Sequence, residues 1–157
     1  MAHNLTIENG KASMMYVGEA PWHGLGTKLD RPATSAEAIE AAGLDWTVVK
    51  RPLYVVGDGR LHAVADKEAV VREDLLGQPN CPVFGVVGPH YTPLQNRSAF
   101  AFFDSIVGGG AAVYHTAGSL GHGERVWILA KLPGHIRVVG DDITEKFLLL
   151  ANSHDGS

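Results

Sequence analysis

Residues 83 to 104 constrain the fold more than any other stretch of this chain. Val83-Phe-Gly-Val-Val87 is a short apolar run stopped by Gly88-Pro89, the pattern of a buried strand bounded by a turn. Beyond Asn96 the period changes. Ala99, Phe100, Phe103, Ile106 and Val107 recur at helical spacing and make one apolar stripe. The spacing predicts a helix over about 96–107, capped by Asn96 and ended by the run Gly108-Gly109-Gly110. The link between strand and helix carries His90, Tyr91, Thr92, Gln95 and Asn96. It lies beside a helix N-terminus, whose free N–H groups attract anions. An amphipathic helix joined this closely to a strand must bury its stripe against a sheet.

The rest of the chain supplies that sheet. Trp46-Thr-Val-Val49 and Leu53-Tyr-Val-Val56 read as strands, and Gly57-Asp58-Gly59 turns the second into Arg60-Leu-His-Ala-Val64. Ala69 to Arg72, Ala112 to Ala117, Val126 to Leu132 and Glu145 to Ser153 read as further strands, with a short one at His135 to Val139. Upstream, Thr34 and Glu37 spell a capping box for a short helix over about 35–42, closed by Gly43. Residues 1–33, rich in Gly and polar groups, read as an irregular N-terminal arm. Two helices among hairpin-linked strands define an α+β fold, with an antiparallel, hairpin-rich sheet packed against the main helix. Residues 34–157 form its single domain. The strand from Glu145 ends in Asp155-Gly156, a pair that normally opens a hairpin. The domain is therefore expected to continue past Ser157, leaving that strand as a sheet edge or paired with another copy.

Composition excludes several classes. A chain of 157 residues with 45% apolar and 19% charged residues suits one soluble domain. Cys81 is the single cysteine, so an intrachain disulfide is impossible and a reducing cytoplasm fits. No apolar run approaches the roughly 20 residues that span a membrane, and the start lacks the pattern of a signal peptide. The net charge is -4. Residues 1–82 hold 8 Lys and Arg against 11 Asp and Glu, and residues 83–157 hold 5 against 6. Neither half has the basic excess of a strong nucleic-acid binder, which leaves a local patch or an assembly of subunits as the route to such binding.

Few groups point to chemistry. Trp22-His-Gly-Leu-Gly-Thr27 offers two glycines where backbone approaches a ligand, flanked by Trp22 and His23. It is equally the signature of an arm pinned by a buried tryptophan. No strand precedes it and no third glycine follows, so it is not a dinucleotide fingerprint. Ser153-His154-Asp155 contains the residue types of a hydrolase triad, but neighbours on a strand face opposite ways and cannot form that relay. The eight histidines lack zinc-ligand spacing; His115, His122 and His135, with Asp141-Asp142 near in sequence, are the candidates for a metal site. Gly118 to Gly123 and Gly108 to Gly110 lack the Gly-Lys-Ser/Thr ending of a phosphate loop. No cofactor is implied. Tyr54, Tyr91, Trp127, Lys50, Arg51, Arg60, Lys131 and Arg137 are the candidates for a stacking-plus-phosphate surface.

Trp22-His-Gly-Leu-Gly-Thr27, Val86-Val-Gly-Pro-His-Tyr-Thr-Pro-Leu-Gln-Asn96 and Leu148-Leu-Leu-Ala-Asn-Ser-His-Asp-Gly-Ser157 together resemble the phage/plasmid-like family of unknown function (domain of unknown function 932). Its members occur in actinobacterial phages, prophages and mobile elements and run to about twice this length. The resemblance implies work in DNA metabolism inside the bacterial cell, and carries over no catalytic residue. The reading that follows is a cytoplasmic homo-oligomer that binds or anneals single-stranded DNA, similar in fold plan to phage annealing proteins. Trp22, His23, Arg51, Tyr91, Gln95, Asn96 and Lys131 form its expected binding surface, with Tyr91 stacking on a base or packing over the Trp22-His23 arm. A hydrolase or metal-dependent enzyme with a pocket at His90–Asn96, and a non-catalytic phage–host interaction or structural module, are the alternatives.

Overall fold

Both helices begin where local chemistry directs. Thr34 accepts a hydrogen bond from the Glu37 N–H while the Glu37 carboxylate accepts from the Thr34 N–H, and this reciprocal cap starts α1 (Ser35–Ala41). Gly43 follows at φ +67°, the left-handed conformation that closes a helix at little cost to glycine. The computed structural model describes residues 4–107, 113–137 and 143–157. In chain order its strands are β1 (Ile7–Glu8), β2 (Lys11–Ala12), β3 (Met14–Val17), β4 (Thr27–Leu29), β5 (Val48–Gly57), β6 (Arg60–Arg72), β7 (Val83–Val87), β8 (Val113–Leu120), β9 (Arg125–Arg137) and β10 (Ile143–Ser153). The second helix, α2 (Asn96–Val107), lies between β7 and β8. The glycine run 108–110, Ala112 and Asp141-Asp142 lie outside the described residues.

The protein is α+β with mostly antiparallel pairing, and its strands divide between sheets. Five strands run in the order β10-β9-β8-β3-β4, three in the order β5-β6-β7, and β1 pairs with β2 alone. The pairing of β3 with β4 is parallel. Residues 1–33, expected to be irregular, thus supply two strands of the largest sheet. The reason is the alternation in Met14-Met15-Tyr16: Met15 points into the main core, while Met14 and Tyr16 join Leu5 and Ala12 in a second cluster on the opposite face.

The main core lies between the inner face of the five-stranded sheet and the two helices. Met15, Tyr114, Ala117, Val126, Ile128 and Ala130 meet Ala38 and Ile39 of α1 and Ala99, Phe100 and Phe103 of α2. Asp104 ties these layers, accepting hydrogen bonds from Ser35 of α1 and Tyr114 of β8. The predicted stripe on α2 is narrower than its sequence: Phe100 and Phe103 are buried but Ile106 is 55% exposed. Ile106 lies in the last turn of the helix.

Short strands predicted on either side of residue 52 merge into two long ones. β5 and β6 form one antiparallel pair whose tip turns through Asp58 (φ +50°) and Gly59 (φ +72°), the two left-handed residues of a tight hairpin. The ladder is broken midway. Pro52 pairs with Glu68 and Tyr54 with Ala63, so Val64–Lys67 oppose Leu53 alone, and Asp66 takes φ +56°. A bulge this large re-aims the outer half of a hairpin. The base packs with β7, while the tip projects with Tyr54, Val55, Val56 and Leu61 all exposed.

Candidate functional site

The link that follows β7 is built into the fold by three amides. The Gln95 side chain donates to the Val48 carbonyl at 2.9 Å and accepts from the Val48 N–H at 3.0 Å, clamping the start of β5. Asn152 of β10 donates to the Leu94 carbonyl at 2.9 Å. Asn96, expected to cap α2, is its first helical residue instead, and the Gln95 carbonyl receives the Ala99 N–H. The Asn96 side chain is turned inward and is only 1% exposed. Its Nδ2 donates to the Leu44 carbonyl at 3.0 Å, which leaves Oδ1 to accept from His154 Nε2 at 2.9 Å. Burial explains the change of role: a capping side chain stays near its own helix end, whereas this one joins three distant segments.

His154 is the centre of this cluster. It is 1% exposed, stacks on Phe84 at 6.3 Å and meets the edge of Trp46 at 5.5 Å. The orientation of the Asn96 amide puts the ring proton on Nε2. Nδ1 is then a lone-pair nitrogen, buried and without a hydrogen-bond partner among the described residues. Burial holds the imidazole pKa down to about 4, against a small opposing pull from Asp155. His154 is therefore neutral at physiological pH. Ser153 donates to Asp155 at 2.6 Å and His154 turns the other way to Asn96, so the three do not form a relay. Beside Trp46, Arg72 lies over the ring at 4.8 Å and pairs with Glu8 and Asp74, tying β1 to β6.

The structure separates the residues expected to share a binding surface. Tyr91, Gln95 and Asn96 gather where α2 begins. Tyr91 is half-buried, packs against the main core and directs its hydroxyl to the Ser153 carbonyl at 3.4 Å; burial and Asp155 raise its pKa. Trp22 and His23 lie between β3 and β4, at the sheet end away from β10, so Tyr91 reaches Ser153 rather than that arm. Trp22 is 72% exposed, not a packing anchor, and its ring meets His23 edge-on at 5.3 Å. His23 Nδ1 accepts from the Leu25 N–H at 3.1 Å. Lys131 on β9 pairs with Glu145 on β10. Arg51, near the base of the hairpin, donates to the Lys50 carbonyl at 2.9 Å.

The metal candidates do not converge. His115 lies within β8 against Phe147, at a ring separation of 5.7 Å, and the backbone of His122 at the β8–β9 turn donates to Glu124 at 2.7 Å. Six residues of strand and turn lie between the two histidines, which puts them roughly 20 Å apart at strand rise. The His135 side chain lies outside the description. Among the described residues no group of three or more His, Cys, Asp or Glu could hold a metal ion.

The hairpin tip offers a different surface. Arg51, Arg60 and Lys67, like Lys11, Lys28 and Lys146, have no ion-pair partner among the described residues, whereas Arg31, Lys50, Arg72, Arg97, Arg125 and Lys131 are paired. Tyr54 and Val56 face Ala63 and Leu61 across the ladder, making one apolar face. Val55 and His62 occupy the other. Tyr54, Arg51 and Arg60 were legible as candidates in the sequence. Lys67 was not; it stands in the bulge, next to Glu68, the partner of Pro52.

Residues 83–157 match the model of a family described as Domain of unknown function (DUF932). The matched segment carries the Val83 strand, the link, α2 and β8–β10, so the Gln95, Asn96 and His154 cluster falls within it. No curated protein and no solved structure matches the chain. Among the described residues no helix is long and apolar enough to cross a membrane.

Proposed function

We propose that this is a phage or mobile-element protein that binds single-stranded DNA inside the host cell, and that the tip of the β5–β6 hairpin makes the contact. One observation carries the reading: Arg51, Arg60 and Lys67, which have no ion-pair partner among the described residues, lie on the same projecting ribbon as the exposed Tyr54. In an otherwise acidic chain, six other cations are already held by acidic side chains. Sequence-independent binding of a single strand needs those two elements, cations for phosphates and an aromatic face for a base. The link around Tyr91 serves in this reading as the support that fixes the base of the hairpin, through Gln95 and Val48.

Fluorescence anisotropy with a mixed-sequence oligonucleotide, repeated across salt concentrations, tests it. Three phosphate contacts predict a log–log salt slope of about -2. Tyr54→Ala is expected to weaken binding by roughly 1–3 kcal/mol, as loss of one stacked base does, with an unchanged melting temperature because the ring is 55% exposed. Wild-type protein that binds no single-stranded DNA at low salt would refute the reading. The exposed Val55, Val56 and Leu61 favour a second use of the same ribbon, as a grip on a protein partner; DNA binding that survives Tyr54→Ala and simultaneous loss of Arg51, Arg60 and Lys67 would leave that role to the ribbon.

A further inference from the structure

We propose that the groove between the end of β4 and α1 docks an extended segment of a partner protein, one in which a large apolar side chain alternates with basic ones. The groove has a volume of about 600 Å³, within the roughly 300–1,000 Å³ of ligand-sized pockets. Leu29, Ala33 and Ala41 make its apolar floor. Ala33 is buried in the main core, and Leu29 and Ala41 pack half-buried against it. The floor is therefore a flank of the core that β4 and α1 leave uncovered. The crossover from β3 to β4 lies elsewhere, since its Leu25 packs with Met14 and Tyr16 on the opposite face of the sheet.

Charge selects the occupant. Asp30, Glu37 and Glu40 rim the floor against a single cation, Arg31. Glu37 is already engaged, capping α1 and holding Arg31. Asp30 and Glu40 are exposed and form no ion pair among the described residues. Arg97 lies close enough to sense Glu40, but Asp45 holds it through two hydrogen bonds of 2.7 Å. An apolar floor beneath unanswered negative charge is complementary to an apolar side chain set between cations. It repels nucleic acid, whose phosphates carry the same sign.

β4 makes that occupant an extended polypeptide. It is an end strand of its sheet, so one row of its backbone N–H and C=O groups is unpaired among the described residues. A segment added there turns alternate side chains toward the helices, as Leu29 turns its own, and the others to the opposite face. Positions on one face are two residues and roughly 7 Å apart. The recognised pattern is therefore basic-x-apolar-x-basic, with the apolar group over Leu29, Ala33 and Ala41 and the cations directed to Asp30 and Glu40. β4 is three residues long and offers few main-chain hydrogen bonds, so the groove supplies most of the specificity.

A fluorescein-labelled peptide with the core Lys-Thr-Phe-Thr-Lys, titrated by anisotropy against the whole chain at low salt, tests this, and amide NMR shifts locate the contact. Wild type is expected to bind it, with shifts concentrated in residues 27–41. Replacing the peptide's Phe by Gly, or both of its Lys by Glu, is expected to weaken binding at least tenfold. Asp30→Lys combined with Glu40→Lys is expected to do the same, and to reverse the preference so that the variant takes the Glu peptide. Circular dichroism and melting temperature of that variant should match wild type, because both side chains are exposed. No binding at millimolar peptide overturns the proposal. So does binding that survives loss of the Phe, binding unchanged in the double variant, or shifts that map elsewhere. The groove and the β5–β6 ribbon lie on different sheets, so peptide binding and DNA binding can each fail alone.

Discussion

Acid should unfold this protein through His154, and the structure gives the size of the effect. The folded state holds the imidazole with its proton on Nε2, given to Asn96, and leaves Nδ1 buried without a partner. A second proton would have to enter at Nδ1, between Trp46 and Phe84, with no described acceptor to receive it. The folded pKa of about 4 therefore lies below the ordinary 6.5. Between those values the unfolded chain binds a proton that the folded chain does not, so stability falls as pH drops from 6.5 toward 4. At 1.36 kcal/mol per pH unit, the loss is about 2 kcal/mol by pH 5 and roughly 3 kcal/mol by pH 4. That is a large share of the 5–15 kcal/mol typical of a domain. Urea denaturation of wild type and of His154→Gln between pH 7 and pH 4 isolates the effect, since acidic side chains titrate alike in both. The wild-type curve should fall by roughly 3 kcal/mol more than the variant's. Parallel curves, or an NMR titration placing His154 near 6.5, would show that the burial argument is wrong.

Asn96→Ala removes both partners of the same amide and strands the Leu44 carbonyl and the His154 Nε2–H; a loss of about 2–5 kcal/mol in urea denaturation is expected. Phe103→Ala empties a site that is 2% exposed between α2 and Tyr114 and should cost about 3–5 kcal/mol by the same measurement. Gly118→Ala should lower the melting temperature sharply, because its Cβ would sit 2.3 Å from the Trp127 ring and 2.8 Å from the Ser13 carbonyl. An unchanged melting temperature would show that β3 and β9 can separate around residue 118 without cost.

The link, α2 and β10 are tied into one structural unit. Gln95, Asn96 and Asn152 each spend their amides on backbone or buried partners in other segments. Buried amide bridges of this kind hold segments in register because an unmade hydrogen bond there is costly. They brace α2 and β10 against β5, the strand that carries the projecting hairpin.

Wherever a signal was local, the sequence by itself determined the outcome. The capping box at Thr34 and Glu37, the start of α2 at Asn96 and the turn at Asp58-Gly59 all depend on neighbours within a few residues. The α+β class follows from them. Tertiary structure decided whatever depended on distant partners. It turned Asn96 from a cap into a bridge, because Leu44 and His154 approach it from 52 and 58 residues away in sequence. It drew Met14-Met15-Tyr16 out of an irregular arm and into the middle of a sheet, because β8 offered a free edge. It exposed Trp22, which composition would bury, and broke the hairpin with a bulge that sets Val64–Lys67 against Leu53 alone. Propensity and periodicity describe a residue's own segment. The partner of a buried polar group, and the direction of a bulged strand, are properties of the packed chain.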